Sequence, residues 1–348
     1  MSSNSHPMIP VMPPVRLAEI FTEDENQRLF NVLRTRGPWK LIAGIYFQSA
    51  EELLAVSGSG NAAGADLSDF LTPAFRGFFG NHGIVYEEEI HDIFYSRKLL
   101  DLVKGMHNAR YGAPYLFQFN IQGPSHGLDG GHFDGRSWRG MDPTNTPAWL
   151  ISIMAKSGLF DAWEVKAGQV LSYYYNSDID GGFTYWPDGP DAAPMRIAPP
   201  FWNSGLLTDN QRMYHRGEAC GPREKRTVPG LALHSLLEPD GADGWRITTD
   251  GQPVVQYSPS DMRVLFHYNA HVFADMDEVR QYYDHTDDLT RDKALQMLAD
   301  DLRKRGVPFG MPTDPLHDRA FIAALSATYA MGPKIFPKEA PLEVGRAA

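Results

Sequence analysis

The sequence predicts a mainly β core with α-helices packed at both ends. Three observations predict it. Between about residues 114 and 270, short β-branched or aromatic runs alternate with Gly, Pro, Asn and Asp, the texture of many short strands in a sandwich or barrel. On either side of that stretch, apolar residues recur at helical spacing. No regular strand–helix alternation, Gly-rich dinucleotide fingerprint or Walker loop appears, which removes the common nucleotide-binding α/β folds.

In chain order, residues 1–15 carry four prolines and read as a flexible tail. Thr22 and Glu25 form a capping box, and Leu29, Val32 and Leu33 give the helix behind it an apolar face. Ser49 caps a second helix through Glu51, Glu52 and Leu53, and residues 57–65 (SGSGNAAGA) are a loop by composition. A further helix spans about 95–107, with Leu99, Val103 and Met106 on one side. Strands are expected at 115–122, 149–155, 170–176, 213–215, 226–237 and 263–268. After Asp275 the helical pattern returns. Thr290 caps a helix that turns Leu295, Leu298 and Leu302 inward and stops at Gly306, and Asp314-Pro315 reads as another helix start.

The chain has 348 residues, a length that suits one elaborated domain or about two ordinary ones. No dividing linker is visible. Residues 16–348 therefore read as one domain, with its β core at about 114–270 and a helical C-terminal extension at about 275–335. Hydrophobic residues make up 43% and charged residues 22%, which is a core-forming chain and not a disordered one. Lys and Arg number 32 against 43 Asp and Glu, a net charge of −11. Without a basic block, nucleic acid is a poor partner. No apolar run approaches the roughly 20 residues of a membrane span, and the N-terminus has no secretory pattern. A single cysteine, Cys220, excludes a disulfide framework and multi-cysteine metal sites. The expectation is a soluble, cytoplasmic protein acting on small molecules or protein partners.

The chemistry concentrates in Gly130-Gly131-His132-Phe133-Asp134-Gly135. In an extended chain, residues i and i+2 share a side, so His132 and Asp134 present an imidazole and a carboxylate together while Phe133 faces away. One more histidine would complete a 2-His-1-carboxylate face, the set that suits non-heme Fe(II). His126 competes with His132 as a ligand. His215 lies 83 residues on, followed by Gly221-Pro222-Arg223-Glu224-Lys225-Arg226-Thr227-Val228. If the strands bearing them are neighbours, Arg226 sits near His215. A buried arginine without a nearby acid in sequence calls for a planar carboxylate partner.

Upstream, residues 115–122 alternate: Phe117, Phe119 and Ile121 share one face, Gln118, Asn120 and Gln122 the other. The polar face either lines a cavity beside the metal motif or is solvated. Ser172, Tyr174 and Asn176 alternate with Leu171, Tyr173 and Tyr175, and either set can face inward. Arg136, Trp138 and Arg139 follow the metal motif directly. If they form a loop at a barrel mouth, they select an anionic or aromatic substrate. His267 and His271 are spaced i, i+4, but their flanks read as strand and the zinc-protease motif is absent.

In the order of these motifs the chain resembles the Fe(II)/2-oxoglutarate-dependent oxygenases, most closely the phytanoyl-CoA-dioxygenase-like group. The resemblance rests on His132-x-Asp134, then residues 165–170 (VKAGQV) entering a central strand, then His215, then an arginine eleven residues later; it covers roughly residues 95–237. It implies a double-stranded β-helix (jelly-roll, cupin-like) barrel wrapped by the terminal helices. It implies that His132, Asp134 and His215 bind Fe(II), and that 2-oxoglutarate is the co-substrate with O2. Arg226 would hold the distal carboxylate, with Asn120, Gln118 and Thr227 beside it; Arg223 competes with Arg226. The family often has Arg-x-Ser where this chain has Arg226-Thr227-Val228. Arg136, Trp138, Arg139 and Tyr174 would face the substrate. The implied reaction oxidises a C–H bond of a small-molecule metabolite, most simply by hydroxylation, with desaturation or ring formation open to the same chemistry. Asp134 disfavours halogenation, for which the family usually replaces that carboxylate. The rival reading is a cupin-like metal-binding protein or non-oxidative metalloenzyme that needs no 2-oxoglutarate. An inward-facing arginine near His215 separates the two.

Overall fold

A computed structural model describes residues 8–57, 65–127 and 131–331. The tail residues 1–7, loop residues 58–64, Gly130 and the end of the predicted C-terminal extension lie outside the described residues.

Alternation along residues 111–122 and 263–273 produces the two longest strands, Tyr111–Gln122 and Arg263–Phe273, which pair along their whole length. They sit inside an antiparallel sheet whose order runs Val15–Ala18, Phe201–Thr208, Ala167–Tyr175, Arg263–Phe273, Tyr111–Gln122, Ala74–Asn81, Trp39–Leu41, Leu236–Asp240, Gly244–Thr249, Gln252–Tyr257. A small antiparallel sheet of Met195–Ile197, Phe183–Trp186 and Tyr214–Gly217 lies across one part of it. Tyr173 from the large sheet meets Phe183 from the small one, ring centroids 6.1 Å apart. Leu171, Tyr173, Tyr175, Phe201 and Leu206 join Phe183 and Tyr185 in one buried cluster between the sheets.

The outer face of the large sheet carries the main core. Phe117, Phe119, Ile121, Phe266 and Tyr268 are buried there against the helices Glu23–Thr35 and Arg97–Met106. Each such side chain contributes roughly 1.5–3 kcal/mol on full burial. Thr22 and Glu25 form the expected capping box. Ser96 caps the second helix, whose Leu99, Val103 and Met106 are buried. A second cluster joins the helices Ala50–Ser57, Ala148–Ser157, Arg291–Lys304 and Arg319–Thr328. Thr290 caps Arg291–Lys304, whose Leu295, Leu298 and Leu302 are buried. Among the described residues no helix is long and apolar enough to cross a membrane.

Three expectations about elements need correction. The run 149–155 is a helix, Ala148–Ser157, and not a strand. It is buried on every side, so its apolar residues form no stripe; Gly158 ends it in the left-handed conformation. Residues 226–235 form no strand; a short 3-10 turn, Arg223–Lys225, and a loop precede Leu236–Asp240. Asp314 caps a turn through Leu316 and His317, and the last helix starts later, behind its cap Asp318. Of the expected tail, residues 8–15 are described, and Met8 is buried with Phe133, Trp186 and Tyr214.

Candidate metal centre

His132 reaches the site through a sharp backbone approach. Gly131 before it has φ +131°, and a Cβ there would lie 2.3 Å from the Tyr214 ring, so only glycine fits. His132 then exchanges two backbone hydrogen bonds with His215, at 2.9 and 3.0 Å. The Asp134 N–H donates to the Asn210 carbonyl at 2.9 Å. Alternation works as the sequence indicates: Phe133 turns away into the cluster with Tyr214 and Trp186.

The side chains of His132, Asp134 and His215 each bring a ligand atom within 4.8 Å of the others. Asp134 Oδ1 is 3.7 Å from His132 Nε2 and 3.6 Å from His215 Nε2. His215 Nδ1 donates to the Met213 carbonyl at 2.9 Å, which leaves the Nε2 lone pair for a metal. The second carboxylate oxygen is held from behind, as Gln169 Nε2 donates to Asp134 Oδ2 at 3.0 Å. Gln169 Oε1 in turn accepts the Asn210 N–H at 3.1 Å, so one amide fixes both Asp134 and the turn that leads to His215. Burial disfavours the Asp134 carboxylate, but His215 and His132 beside it hold its pKa well below the usual range. Two imidazole nitrogens and one carboxylate oxygen on one side, without a thiolate, fit Fe(II) or a similar divalent ion with open positions opposite.

A third imidazole stands behind the carboxylate. Gln118 Nε2 donates to His267 Nδ1 at 3.2 Å, so His267 carries its proton on Nε2. That Nε2 is buried 3.7 Å from Asp134 Oδ2 and has no hydrogen-bond partner. Burial pushes the His267 imidazole down to about 4, so it stays neutral.

A buried arginine, Arg263, stands on the strand of His267. It starts the strand that carries Leu265 and His267 on the same face. It is 6% exposed. Its Nε donates to the Gly181 carbonyl at 3.1 Å, and its guanidinium lies 5.0 Å over the Tyr173 ring. Gly217, two residues beyond His215, lies beside it: a Cβ there would be 3.6 Å from Nη1. No carboxylate of the described residues pairs with it. Phe183 links this arginine to the ligands, since its ring packs 5.5 Å from His215 and 6.1 Å from Tyr173. A cavity of about 230 Å³ opens beside Tyr173, Phe183, Phe201 and Leu206, with Arg16 at its edge.

The other residues singled out by sequence fall as follows. Gln118 faces the cleft on His267, and Asn120 Oδ1 accepts from Arg76 at 2.8 Å. Arg226 is buried but already paired: its guanidinium binds the Asp180 carboxylate and the Gly221 carbonyl. The acid beside it is Asp180, 46 residues earlier, so Arg226 already has a carboxylate partner. Thr227 and Arg223 are exposed. Arg136, Trp138 and Arg139 form no substrate-facing loop. Arg136 is fully buried, bonded to the Gln211 carbonyl at 2.9 Å and paired with Glu164 at 3.4 Å. Trp138 belongs to the helical core, and Arg139 clamps Asp287 through two bonds of 2.7 and 2.8 Å. Tyr174 is on the outer face, its hydroxyl on Asn26 and Asn203; the inward set is Leu171, Tyr173 and Tyr175. Burial pushes the Cys220 thiol up, and its Sγ bonds the Gly123 carbonyl at 3.3 Å.

No family model matches the sequence, and no curated protein matches it. Among solved structures there are distant similarities. An oxidoreductase of the 2OG-Fe(II) oxygenase family from Burkholderia pseudomallei has a TM-score of 0.38 and 11% identity, over 74% of this chain and 85% of that one. A prolyl hydroxylase from Trichoplax adhaerens, in complex with a hypoxia inducible factor oxygen degradation domain peptide fragment, has a TM-score of 0.33 and 11% identity, over 76% and 86%.

Proposed function

We propose that this chain is an Fe(II)/2-oxoglutarate-dependent oxygenase acting on a small molecule. One observation carries the reading: a two-histidine, one-carboxylate face stands against His267, and the same strand face carries Arg263, a buried arginine that has no carboxylate partner among the described residues. A buried guanidinium is costly unless paired, and its fork matches a carboxylate. Bound Fe(II) would supply the O2 chemistry that couples 2-oxoglutarate decarboxylation to oxidation of a substrate C–H bond.

The rest is the work of this chain's own side chains. His132, Asp134 and His215 hold the metal. The Met213 carbonyl orients His215, and Gln169 orients Asp134. Arg263 takes the distal carboxylate of 2-oxoglutarate, replacing Arg226 in that role. It lies four residues from His267 on one strand face, about 13 Å of strand, a span bridged by a five-carbon diacid and the arginine's own length. Tyr173, Phe183 and Leu265 wall that path with apolar surface and exclude water from it. The cupin-like rival lacked a reason for an inward arginine near His215, and Arg263 weighs against it. The test is succinate release: protein with Fe(II), 2-oxoglutarate and a metabolite panel should form succinate, and Arg263→Ala should need far more 2-oxoglutarate. Turnover of a substrate without 2-oxoglutarate would favour the rival.

A further inference from the structure

The cleft holds a second arginine that the reading above leaves unused. Register places it. Arg76 pairs with Asn120, Asn120 with Leu265, Leu265 with Tyr173, and Tyr173 with Ser204. Directly paired residues share a face, so this row lies on the side of the sheet that faces the metal residues. The next row inward is Phe78, Gln118, His267, Leu171 and Leu206, and its His267 stands against Asp134. The opposite face of Arg76's own strand is core, carrying Phe75 and Phe79. Arg76 therefore projects over the cleft two strands from Leu265, about 10 Å to the side.

Its surroundings orient the guanidinium without neutralising it. Nε donates to Asn120 Oδ1 at 2.8 Å and Nη1 to the Tyr46 hydroxyl at 3.0 Å. The group lies 5.2 Å over the Tyr46 ring. Both hydrogen-bond partners are neutral. No carboxylate of the described residues pairs with Arg76, and its Nη2 has no partner among them. A half-buried cation on the sheet face of His267, held by neutral partners and with a nitrogen still unpartnered among the described residues, fits a planar anion.

We propose that Arg76, set by Asn120 and Tyr46, binds a carboxylate of the primary substrate, so that the enzyme acts on small carboxylic acids. This rests on the oxygenase reading for the reaction but not for the binding. Two arginines on one sheet face then divide the anions between them: Arg263 takes the co-substrate and Arg76 the substrate. Arg76 is a specificity residue that touches substrate away from the reacting bond.

The test uses matched probes, linear and aryl carboxylic acids of four to ten carbons, each beside its primary amide. Binding is measured by calorimetry on the protein loaded anaerobically with Fe(II) and 2-oxoglutarate. Acids that bind should exceed their amides by about tenfold or more, the worth of a charge-assisted hydrogen bond. Arg76→Ala should erase that preference, Arg76→Lys should keep part of it, and both should leave 2-oxoglutarate affinity unchanged. Arg263→Ala should do the reverse. If the wild type does not load 2-oxoglutarate, the oxygenase reading fails; the same comparison on metal-free protein then decides this inference separately. Equal binding of every acid and its amide overturns it. So does a preference that survives Arg76→Ala, or loss of 2-oxoglutarate binding in that variant.

Discussion

Gln169 donates its amide to Asp134 Oδ2 at 3.0 Å while Asp134 Oδ1 faces both ligand histidines. The carboxylate is thus divided, one oxygen held by the amide and one turned to His132 and His215. Gln169→Leu should remove the restraint without touching a ligand. Removing such an outer partner typically weakens metal affinity by roughly 10–100-fold. Titration with Fe(II) or Co(II) should show that loss, and Gln169→Glu should not restore it, because a second carboxylate repels the first. Unchanged affinity in the Leu variant would show that the amide is idle.

The two candidate anchors separate cleanly by their partners. Arg263→Ala should raise the apparent 2-oxoglutarate requirement by about a hundredfold or more, at roughly 1.4 kcal/mol per tenfold, and leave folding intact. Arg226→Ala should leave that requirement alone and destabilise the fold by on the order of 2 kcal/mol. That is less than for a fully buried pair, because the Asp180 side chain is 33% exposed. Steady-state kinetics and chemical denaturation on the two variants check both halves. The opposite pattern would return the anchor to Arg226.

A third expectation concerns pH and the fold. Burial pushes the His271 imidazole down to about 4, against an ordinary value near 6.5. The unfolded chain therefore binds the proton first as pH falls. The stability held by neutral His271 is complete above about pH 6.5 and drains away as pH drops towards 4, at up to about 1.4 kcal/mol per pH unit. His271→Phe keeps a ring against Tyr115, which stacks at 4.1 Å, and should flatten the slope of unfolding free energy by about one proton. A slope identical to wild type would mean that His271 is protonated in the folded state.

Much of this was legible because it was local. The Thr22–Glu25 capping box, the Thr290 cap and the His132-x-Asp134 spacing each depend on residues within a few positions of one another. What failed depends on distant partners. Arg226 looked unpaired because Asp180 lies on another loop. Arg263 passed unnoticed because it heads an apolar run 48 residues after His215, beyond a pair of hairpins. Its signal was present: with Leu265 and His267 it occupies alternate positions of one strand, so arginine and histidine share a face. Tyr174 and Tyr173 could not be told apart from their own sequence, since only the strands and helices on either side decide which face is inward. Residues 148–157 were ambiguous for a different reason: a segment buried all round has no polar face to reveal its period.

The most direct test of the central claim is an anaerobic titration of the Fe(II)-loaded protein with 2-oxoglutarate, followed by the visible charge-transfer absorption of an iron-chelated keto acid. One equivalent of Fe(II) should bind, and the absorption should saturate with 2-oxoglutarate. It should vanish in Asp134→Ala and need about a hundredfold more 2-oxoglutarate in Arg263→Ala. Fe(II) binding without any absorption on adding 2-oxoglutarate, or a full signal in Asp134→Ala, would contradict the account.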